Sequence, residues 1–264
     1  MIKFTIVTCT YNAASVLQRT LNSVLSQKYA DIEHLILDGL SKDETVEMAM
    51  DYKLRSDKSD NGHDVTVVSE KDKGLYDAMN KGIRFATGDY VIFLNAGDVF
   101  PNAETLETVV ASIGDGEQLP GVLYGDTDIV AMDGHFLRHR RLSPPKRLTW
   151  RSFQWGMLVC HQAFYARTDL AKETPYNNVE YRFSADVDWC IRIMKLCAKR
   201  HLALRNVSEV IVNYLDGGMT NKNHKASLKE RFRVMAKHYG FVHTALLHLY
   251  FVIRSFGSAD FSGW

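Results

Sequence analysis

A chain of 264 residues that is 46% hydrophobic and 24% charged can bury a full core, which fits one large globular domain or one domain with an extension. Its 32 basic and 31 acidic residues give a formal net charge of +1, so overall charge does not attract nucleic acid. The cysteines, which have no Cys-x-x-Cys spacing and no preceding secretory signal, indicate reduced thiols in a cytosolic protein without a zinc site: Cys9, Cys160, Cys190 and Cys197.

Strands and helices alternate through the first 113 residues. Predicted strands cover 5–9, 32–37, 65–69 and 90–94. Predicted helices cover 15–27, a segment that starts at 43, 75–85 and 103–113. Such alternation predicts an α/β fold in which a Rossmann-like, mainly parallel sheet carries helices on both faces.

After Gly121 the pattern changes. Two segments, 121–130 and 136–140, flank an Asp133-Gly134 turn and predict a hairpin. Helical spacing returns later, at 187–199 and 228–239. We therefore expect a small antiparallel element and a helical C-terminal part.

Polar residues follow each of the four predicted parallel strands. They are Thr10, Tyr11 and Asn12 after the first strand, Asp38 after the second, Asp72 after the third, and Asn95 and Asp98 after the fourth. Ligands of open parallel sheets bind beyond the carboxyl ends of the strands. Any one of these residues alone is explained by polar loops and helix capping, but the three carboxylates on one edge would repel one another without a cation or a ligand between them.

Six short motifs follow one another over residues 3–220. They are Thr8-Cys-Thr10-Tyr11-Asn12, Asp38-Gly-Leu-Ser41-Lys-Asp43-Glu-Thr45, Asp72-Lys-Gly74-Leu-Tyr76-Asp77-Ala-Met-Asn80-Lys81-Gly82, Asn95-Ala-Gly-Asp98, His161-Gln162, and Ala185-Asp186-Val-Asp188. In this order they resemble the inverting glycosyltransferases of family 2, which have the GT-A fold and use nucleotide-diphosphate sugars. The resemblance implies a GT-A domain over 1–220, with a nucleotide-sugar-binding half (1–120) and an acceptor and catalytic-base half (121–220), followed by a C-terminal helical extension (221–264).

The resemblance also implies roles in donor binding. Asp38 would accept a hydrogen bond from the nucleobase, Tyr11 would stack near it, and Asp72 would hold the nucleoside. Lys81 would lie near phosphate, although an ordinary solvated lysine is an equal alternative. The remaining substrate-binding candidates are Thr10, Asn12, Tyr76, Asp77, Asn80, Asn95, His161 and Gln162.

A divalent cation, Mn²⁺ or Mg²⁺, would stabilise the leaving diphosphate as a Lewis acid. Asp98 is the candidate ligand. Family members commonly have acidic residues where this chain has Asn95 and Gly97. Metal affinity should therefore be modest, and the diphosphate must itself supply ligands.

Inversion at the anomeric carbon requires a base that takes the proton of the attacking hydroxyl. By resemblance this base is Asp186. Asp188 lies two residues further on, and side chains at that spacing do not share a helix face, so one of the two should point into the site. Capping of the following helix is the alternative explanation for this pair.

The sequence thus favours a metal-dependent inverting glycosyltransferase of surface polysaccharide or glycolipid synthesis, using UDP- or GDP-sugars, with TDP-sugars still open. Its acceptor would be a saccharide or a lipid-linked saccharide. Two alternatives stay open: a catalytically weak or dead nucleotide-sugar-binding module, and a nucleotidyltransferase-type enzyme of similar fold class. A dehydrogenase is disfavoured because no glycine follows the first strand in residues 10–15.

The C-terminal segment 240–256 is more apolar than a solvated tail, but too short and too broken to span a membrane. Basic residues lie in 222–237 and again in 135–151. If both face one side, 222–256 would hold the protein peripherally on anionic lipid at the inner face of the membrane. Packing on the domain, or pairing with a second subunit in a homodimer, are the alternatives.

Overall fold

The computed structural model describes residues 1–114, 118–217 and 224–257. Its strands are β1 (Phe4–Thr10), β2 (Ile32–Asp38), β3 (Asp64–Ser69), β4 (Tyr90–Phe93), β5 (Val122–Val130), β6 (Phe136–His139), β7 (Phe164–Arg167) and β8 (Leu204–Leu215). Its α-helices are α1 (Ala14–Leu25), α2 (Thr45–Lys58), α3 (Leu75–Phe85), α4 (Thr105–Ala111), α5 (Thr168–Glu173), α6 (Ala185–Lys199), α7 (His224–Tyr239) and α8 (Phe241–Gly257). Two 3₁₀ helices cover Trp150–Trp155 and His161–Ala163.

The strands form one sheet with the order β3-β2-β1-β4-β7-β5-β6. Strand β7 pairs with the first residues of β5 and β6 with its last residues, while β8 pairs along the opposite edge of β5. Strands β1 to β4 run parallel to one another, and β7 is antiparallel to β4. The predicted mainly parallel α/β sheet is therefore confirmed. The predicted hairpin is present as the antiparallel pair β5 and β6.

Strand β8 was not predicted from the sequence. Its register against β5 shifts between the pairs Tyr124↔Asn206 and Asp126↔Val210, and Ser208 adopts φ 61° at this irregularity. An extra residue in one strand interrupts the alternation of buried and exposed side chains. The period-two signal is lost for this reason, although the paired strand itself is 12 residues long.

The register of the parallel strands brings polar side chains to one level. Thr10 is the partner of Asp38, and Asp38 is in turn the partner of Ser69. These residues end β1, β2 and β3. The sheet thus delivers three polar side chains side by side at its carboxyl edge, where a ligand site is expected.

Helix α3 packs very closely on β1. A Cβ atom added to Gly82 would lie 2.5 Å from a methyl group of Val7, so the helix could not approach β1 this closely with any other residue there. This approach fixes α3, whose N-terminal half faces the carboxyl edge of the sheet. The position of Tyr76, one residue into the helix, depends on this packing.

The C-terminal helices α7 and α8 are joined at Gly240, where φ is 90°. Val234 and Met235 of α7 are buried, as are Thr244 and Leu247 of α8. The predicted helical extension is therefore present over 224–257 and packs on the domain along one side. The predicted boundary at 220/221 lies outside the described residues. Within the described ranges no helix is both long and apolar enough to cross a membrane.

Candidate active site

Asp38 lies at the carboxyl end of β2 as the centre of a hydrogen-bond network. Its carboxylate accepts bonds from the Thr10 hydroxyl (3.1 Å), the Ser69 hydroxyl (2.7 Å), the Ser41 backbone N–H (3.0 Å) and the Ser41 hydroxyl. Burial raises the pKa of Asp38, but the bonds from Ser41, Ser69 and Thr10 outweigh it and leave the pKa below its usual value. A carboxylate has about four lone-pair sites, so a nucleobase would have to displace one of these donors.

The loops after β1 and β2 are joined to each other. The Asn12 backbone N–H donates to the Ser41 hydroxyl (2.8 Å), and the Asn12 amide oxygen accepts from the Lys42 backbone N–H (2.8 Å). Asn12 adopts φ 49°, a conformation that asparagine tolerates better than most residues. The preceding residue, Tyr11, is 64% exposed at the edge of the site.

Gly39, Asp72 and Tyr11 lie close together, and Asp72 also lines a small crevice between β2, β3 and α3. A Cβ atom on Gly39 would lie 2.6 Å from an Asp72 carboxylate oxygen and 3.5 Å from the Tyr11 ring. Asp72 itself accepts a bond from the Gly74 backbone N–H (2.7 Å). Lys81, which also lines the crevice, donates to Glu70 at 2.9 Å. The predicted Tyr11, Asp72 and Lys81 are therefore neighbours on one rim.

Two of the predicted residues of α3 are used by the fold. The Asn80 side chain bonds both the backbone N–H and the carbonyl of Tyr176, at 2.7 and 2.9 Å. Asp77 accepts from the Lys73 backbone N–H (3.0 Å) and from the Asn178 amide (3.4 Å). These contacts hold the neighbouring loops, and they leave substrate binding by Asn80 and Asp77 as an untested prediction.

Asp98 is 4% exposed beyond β4. One carboxylate oxygen accepts from the Leu215 backbone N–H (3.0 Å) and the other from the Gln162 amide (2.9 Å). Burial raises the pKa of Asp98 to about 7, and the two hydrogen bonds and the charge of Arg19 offset this only in part. The buried Asn95 amide oxygen has no hydrogen-bond partner among the described residues.

These properties of Asp98 and Asn95 fit a divalent cation. Both supply hard oxygen atoms of the kind that Mn²⁺ and Mg²⁺ prefer. The pKa of Asp98 is raised mainly by burial, a cost that a bound cation would offset. Asp38, Asp72 and Asp98 do not gather around one point, since the described residues contain no cluster of three or more His, Cys, Asp or Glu able to hold a metal. The nucleotide and water would therefore have to complete the coordination shell.

Asp186 lies in the first turn of α6 and faces α3 and the 3₁₀ helix His161–Ala163. Its Oδ1 accepts from the Tyr76 hydroxyl (3.1 Å), and its Oδ2 lies 3.8 Å from His161 Nδ1. His161 is buried, which lowers its pKa despite Asp186, and its Nε2 has no partner within the described part of the chain. Because Gln162 bonds Asp98, adjacent residues connect Asp186 with Asp98.

Asp188 points away from this site. It is 1% exposed and accepts from Arg192 Nε (2.7 Å), while its other oxygen lies 2.8 Å from His238 Nε2. Burial raises the pKa of Asp188, but the bond with His238 and the charge of Arg192 leave it lowered overall. Of the two carboxylates, only Asp186 lies beside Tyr76 and His161.

Sequence reasoning did not single out Ser69 or Glu230. Ser69, the last residue of β3, holds Asp38, and the register of the sheet is what brings it there. Glu230 bonds the segment just before Asp186 from 46 to 48 residues away. Glu230 carries no local motif, so no signal in the sequence pointed to this contact.

Comparison with known proteins places the chain among glycosyltransferases. Glycosyl transferase family 2 matches residues 5–173. The chain is 34% identical over 220 residues to a PGL/p-HBAD biosynthesis glycosyltransferase of Mycobacterium bovis, covering 83% of this chain and 79% of that protein. An uncharacterized glycosyltransferase of Mycobacterium tuberculosis is 29% identical over 203 residues, covering 73% of this chain and 69% of the relative.

Solved structures share the fold at low sequence identity. Staphylococcus aureus TarS (residues 1–349) in complex with UDP-GlcNAc superposes with a TM-score of 0.66 at 16% identity, over 99% of this chain and 75% of that one. The mannosyltransferase PcManGT from Pyrobaculum calidifontis, in complex with GDP-Man and Mn²⁺, gives 0.60 at 17% identity, over 93% and 74%. The sheet order, the family match and the curated relatives agree, and the chain belongs to glycosyl transferase family 2, with the GT-A fold.

Proposed function

We propose that this glycosyltransferase is an inverting enzyme that moves a sugar from a UDP- or GDP-sugar to a hydroxyl of a saccharide or lipid-linked acceptor, in the synthesis of a surface polysaccharide or glycolipid. The observation that carries the proposal is the connection of Asp186 to Asp98 through His161 and Gln162. The connection supports the partly exposed Asp186 carboxylate as a base that would act near the leaving diphosphate. An inverting transferase needs a base for the attacking hydroxyl and a group that stabilises the charge of the leaving diphosphate.

Donor binding is proposed at the carboxyl edge of β1 to β3. The exposed ring of Tyr11 would stack on the nucleobase, and Asp72 would accept hydrogen bonds from the nucleoside. Asp38 would act mainly by fixing the loops around the base, since its oxygens are already bonded by Thr10, Ser41 and Ser69. The UDP-GlcNAc and GDP-Man bound in the related folds support nucleotide-sugar donors of either kind.

Asp98 and Asn95 would hold Mn²⁺ or Mg²⁺ together with the nucleotide. A cation bound there would supply Lewis-acid stabilisation of the diphosphate as it leaves. The Mn²⁺ in the mannosyltransferase structure supports the same use of a cation. The protein's own contribution is to orient Asp98 through the bonds from Gln162 and Leu215.

Asp186 would be the general base. The acceptor oxygen forms a bond to the anomeric carbon, the bond from that carbon to the phosphate oxygen breaks, and the nucleoside diphosphate leaves with the electron pair. The acceptor proton passes to Asp186. The Tyr76 hydroxyl, which donates to Asp186, would keep the carboxylate in place for this transfer.

We further propose that the acceptor is lipid-linked and that α8 rests on an anionic membrane surface, at the cytoplasmic side that suits the free cysteines. One side of α8 is apolar and exposed although the opposite side is packed. The neighbouring Trp155 is half exposed and contacts Tyr250 of α8. Exposed cations, such as Arg147 and Arg151, lie just before and within the 3₁₀ helix that contains Trp155. Apolar helix faces accompanied by aromatic residues and cations are typical of contacts with a membrane interface.

Paired substitutions test the assignment of the base. Asp186→Asn should lower the rate of sugar transfer by roughly 10³-fold while keeping nucleotide affinity, because it removes the base and preserves shape. Asp188→Asn should lower the transfer rate far less, since Asp188 contacts Arg192 and His238 instead of the site. The reverse ranking of the two transfer rates would contradict the assignment.

Activity on a donor panel separates this proposal from its alternatives. UDP-glucose, UDP-GlcNAc and GDP-mannose are tested for transfer and for slow hydrolysis, with and without manganese. A nucleotide-sugar-binding module would bind without turnover, and a nucleotidyltransferase would release or consume pyrophosphate. A product whose anomeric configuration, measured by NMR, equals that of the donor would contradict inversion.

A further inference from the structure

The N-terminus of α6, which carries Asp186, is held by a residue of α7. Ser184 precedes the helix, and its side chain makes no capping bond to the first turn. The backbone N–H groups of Arg182, Phe183 and Ser184 all donate to the carboxylate of Glu230, at 2.7 to 3.1 Å. One carboxylate on three consecutive N–H groups just before a helix is a strong, charge-assisted arrangement.

Two further contacts join the same helices. The Ser184 hydroxyl donates to the Ser227 carbonyl of α7 (3.2 Å). One turn into α6, the buried Asp188 lies 2.8 Å from His238 Nε2, near the other end of α7. Helix α7 therefore holds α6 immediately before and immediately after Asp186.

The position of Asp186 then depends on contacts from two other helices, α3 and α7. Tyr76 of α3 fixes its carboxylate, and Glu230 fixes the backbone from which its side chain extends. If the 182–184 segment lost its acceptor, three N–H groups would need new partners and the first turn of α6 would shift. A displacement of about 1 Å at a catalytic group costs on the order of 100-fold in rate.

We infer that Glu230 is a positioning residue for transfer, acting through the backbone of residues 182–184 on Asp186, so that α7 is part of the catalytic apparatus. This inference rests on the proposed role of Asp186 as the base. Glu230 lies outside the segment 5–173 that matches the family. Helix α7 would thus be required for turnover, whatever surface α8 contacts.

The test compares Glu230→Gln with Glu209→Gln, a control that removes an equivalent charge from an exposed position on β8. Transfer is measured from UDP-glucose, UDP-GlcNAc and GDP-mannose to a panel of soluble p-nitrophenyl glycosides. Glu230→Gln should lower kcat by roughly 10- to 100-fold. Nucleotide affinity, measured by calorimetry, should stay within about twofold, since the donor residues lie on other elements.

A double substitution separates positioning from general loss of structure. In an Asp186→Asn background, adding Glu230→Gln should change the residual rate by less than about twofold, because the two residues act through one step. Additive losses, or a kcat of Glu230→Gln equal to that of the control, would overturn the inference. If Glu230→Gln does not fold, Glu230→Asp, which keeps the charge but withdraws the carboxylate, is assayed in the same way.

The outcomes also separate this inference from the proposed function. Full transfer activity in Asp186→Asn would overturn both, since no base would remain to be positioned. An inactive Asp186→Asn together with a fully active Glu230→Gln would overturn the role of Glu230 alone.

Discussion

At the scale of single residues, the acidic side chains of the site differ in how the protein holds them. Asp38 is fully hydrogen-bonded and has a lowered pKa, whereas Asp98 is buried with a raised one. The Asp186 side chain stays 19% exposed beside His161. Carboxylates that look alike in the sequence thus have different surroundings, and under the proposed function they would organise loops, hold a cation and accept a proton, respectively.

Asp98→Asn should change the pH dependence of stability. The pKa of about 7 lies above the unfolded value of 3.8, so the folded protein binds the proton more tightly and the wild type loses stability as pH rises from about 4 to 7. The variant carries no such charge and should melt at a higher temperature than the wild type at pH 8, with the difference shrinking towards pH 5. Melting curves at pH 5, 6.5 and 8 measure this difference.

The same substitution should remove manganese-dependent binding of UDP or GDP, measured by calorimetry. Wild-type affinity for manganese in the presence of nucleotide should increase between pH 6 and 8, because the cation binds the deprotonated carboxylate. Asp60→Asn, at an exposed position in the turn after α2, controls for the loss of one negative charge. Unchanged manganese-dependent affinity in Asp98→Asn would refute the cation assignment.

Two glycine substitutions should separate binding from stability. Gly39→Ala places a methyl group 2.6 Å from the flexible end of Asp72, so Asp72 should move, and nucleotide affinity should fall roughly tenfold with little change in melting temperature. Gly82→Ala places a methyl group 2.5 Å from the packed Val7 side chain and should lower stability by about 1 to 3 kcal/mol. Calorimetry measures the nucleotide affinity of both variants, and thermal melting measures their stability. Equal losses of stability in the two variants would contradict the prediction.

At the scale of helices and strands, the sequence was informative where periodicity was regular. Strands β1 to β4 and helix α3 lie within a residue or two of their predicted bounds, because each is a continuous apolar or amphipathic segment ended by a turn. β8 was missed because of its irregular register, and α5 because six residues are too few to show helical spacing. Local pattern fails where the structure departs from a regular repeat.

For the candidate site, the sequence supplied residues but not their contacts. Motif order named Tyr11, Asp72 and Asp186 as candidates, and the structure places Tyr11 near Asp72 at Gly39 and Asp186 beside Tyr76 and His161. It did not show that Asn80 is engaged with the backbone of Tyr176. Nor did it reveal Glu230, because contacts across tens of residues depend on helix packing that periodicity does not encode.

The contact of α6 with α7 gives a prediction for stability. Asp188→Asn leaves Arg192 and His238 without their anionic partner, and breaking a buried pair in this way should cost about 2 kcal/mol or more. The pKa of Asp188 is lower in the folded protein than in the unfolded chain. Its contribution to the free energy of unfolding is therefore fully present at pH values above the unfolded pKa, and it is lost as pH falls through the folded pKa. The melting difference between wild type and variant should therefore narrow on acidification towards pH 3. A difference that is constant with pH would contradict this account.

At the scale of the whole molecule, near-zero net charge coexists with an uneven surface. The exposed apolar residues of α8 recur at spacings of three and four, on the side opposite the buried Thr244 and Leu247. They are Val242 (71% exposed), Leu246 (62%), Leu249 (57%) and Ile253 (62%). Packing on the domain accounts for the buried side of this helix but leaves its apolar side uncovered.

Not all of the basic residues predicted for this surface belong to it. Arg140 donates to the carbonyl oxygens of Met157 and Leu158, so its guanidinium serves the fold. Lys237 is paired with Glu180 at 2.7 Å. Lys222 lies outside the described residues. The exposed cations that remain near the 3₁₀ helix beside α8 are those of the 146–151 segment, including Arg151 over the Trp150 ring.

The last prediction concerns this apolar side. Leu246→Asp with Leu249→Asp should abolish sedimentation with vesicles of phosphatidylglycerol and phosphatidylcholine, because two charges cannot enter the acyl boundary. Leu54→Asp with Met50→Asp, which changes two exposed apolar residues of α2, should leave sedimentation unchanged. The α8 variant should keep its melting temperature and its transfer to a soluble acceptor, since these side chains face solvent, but lose transfer to an acceptor embedded in the vesicles. Raising the salt concentration should weaken wild-type sedimentation through screening of the cations. Equal sedimentation of the wild type and the α8 variant would contradict the proposal, and so would a wild-type dimer in solution that the α8 substitutions dissociate, since a second copy would then cover this face.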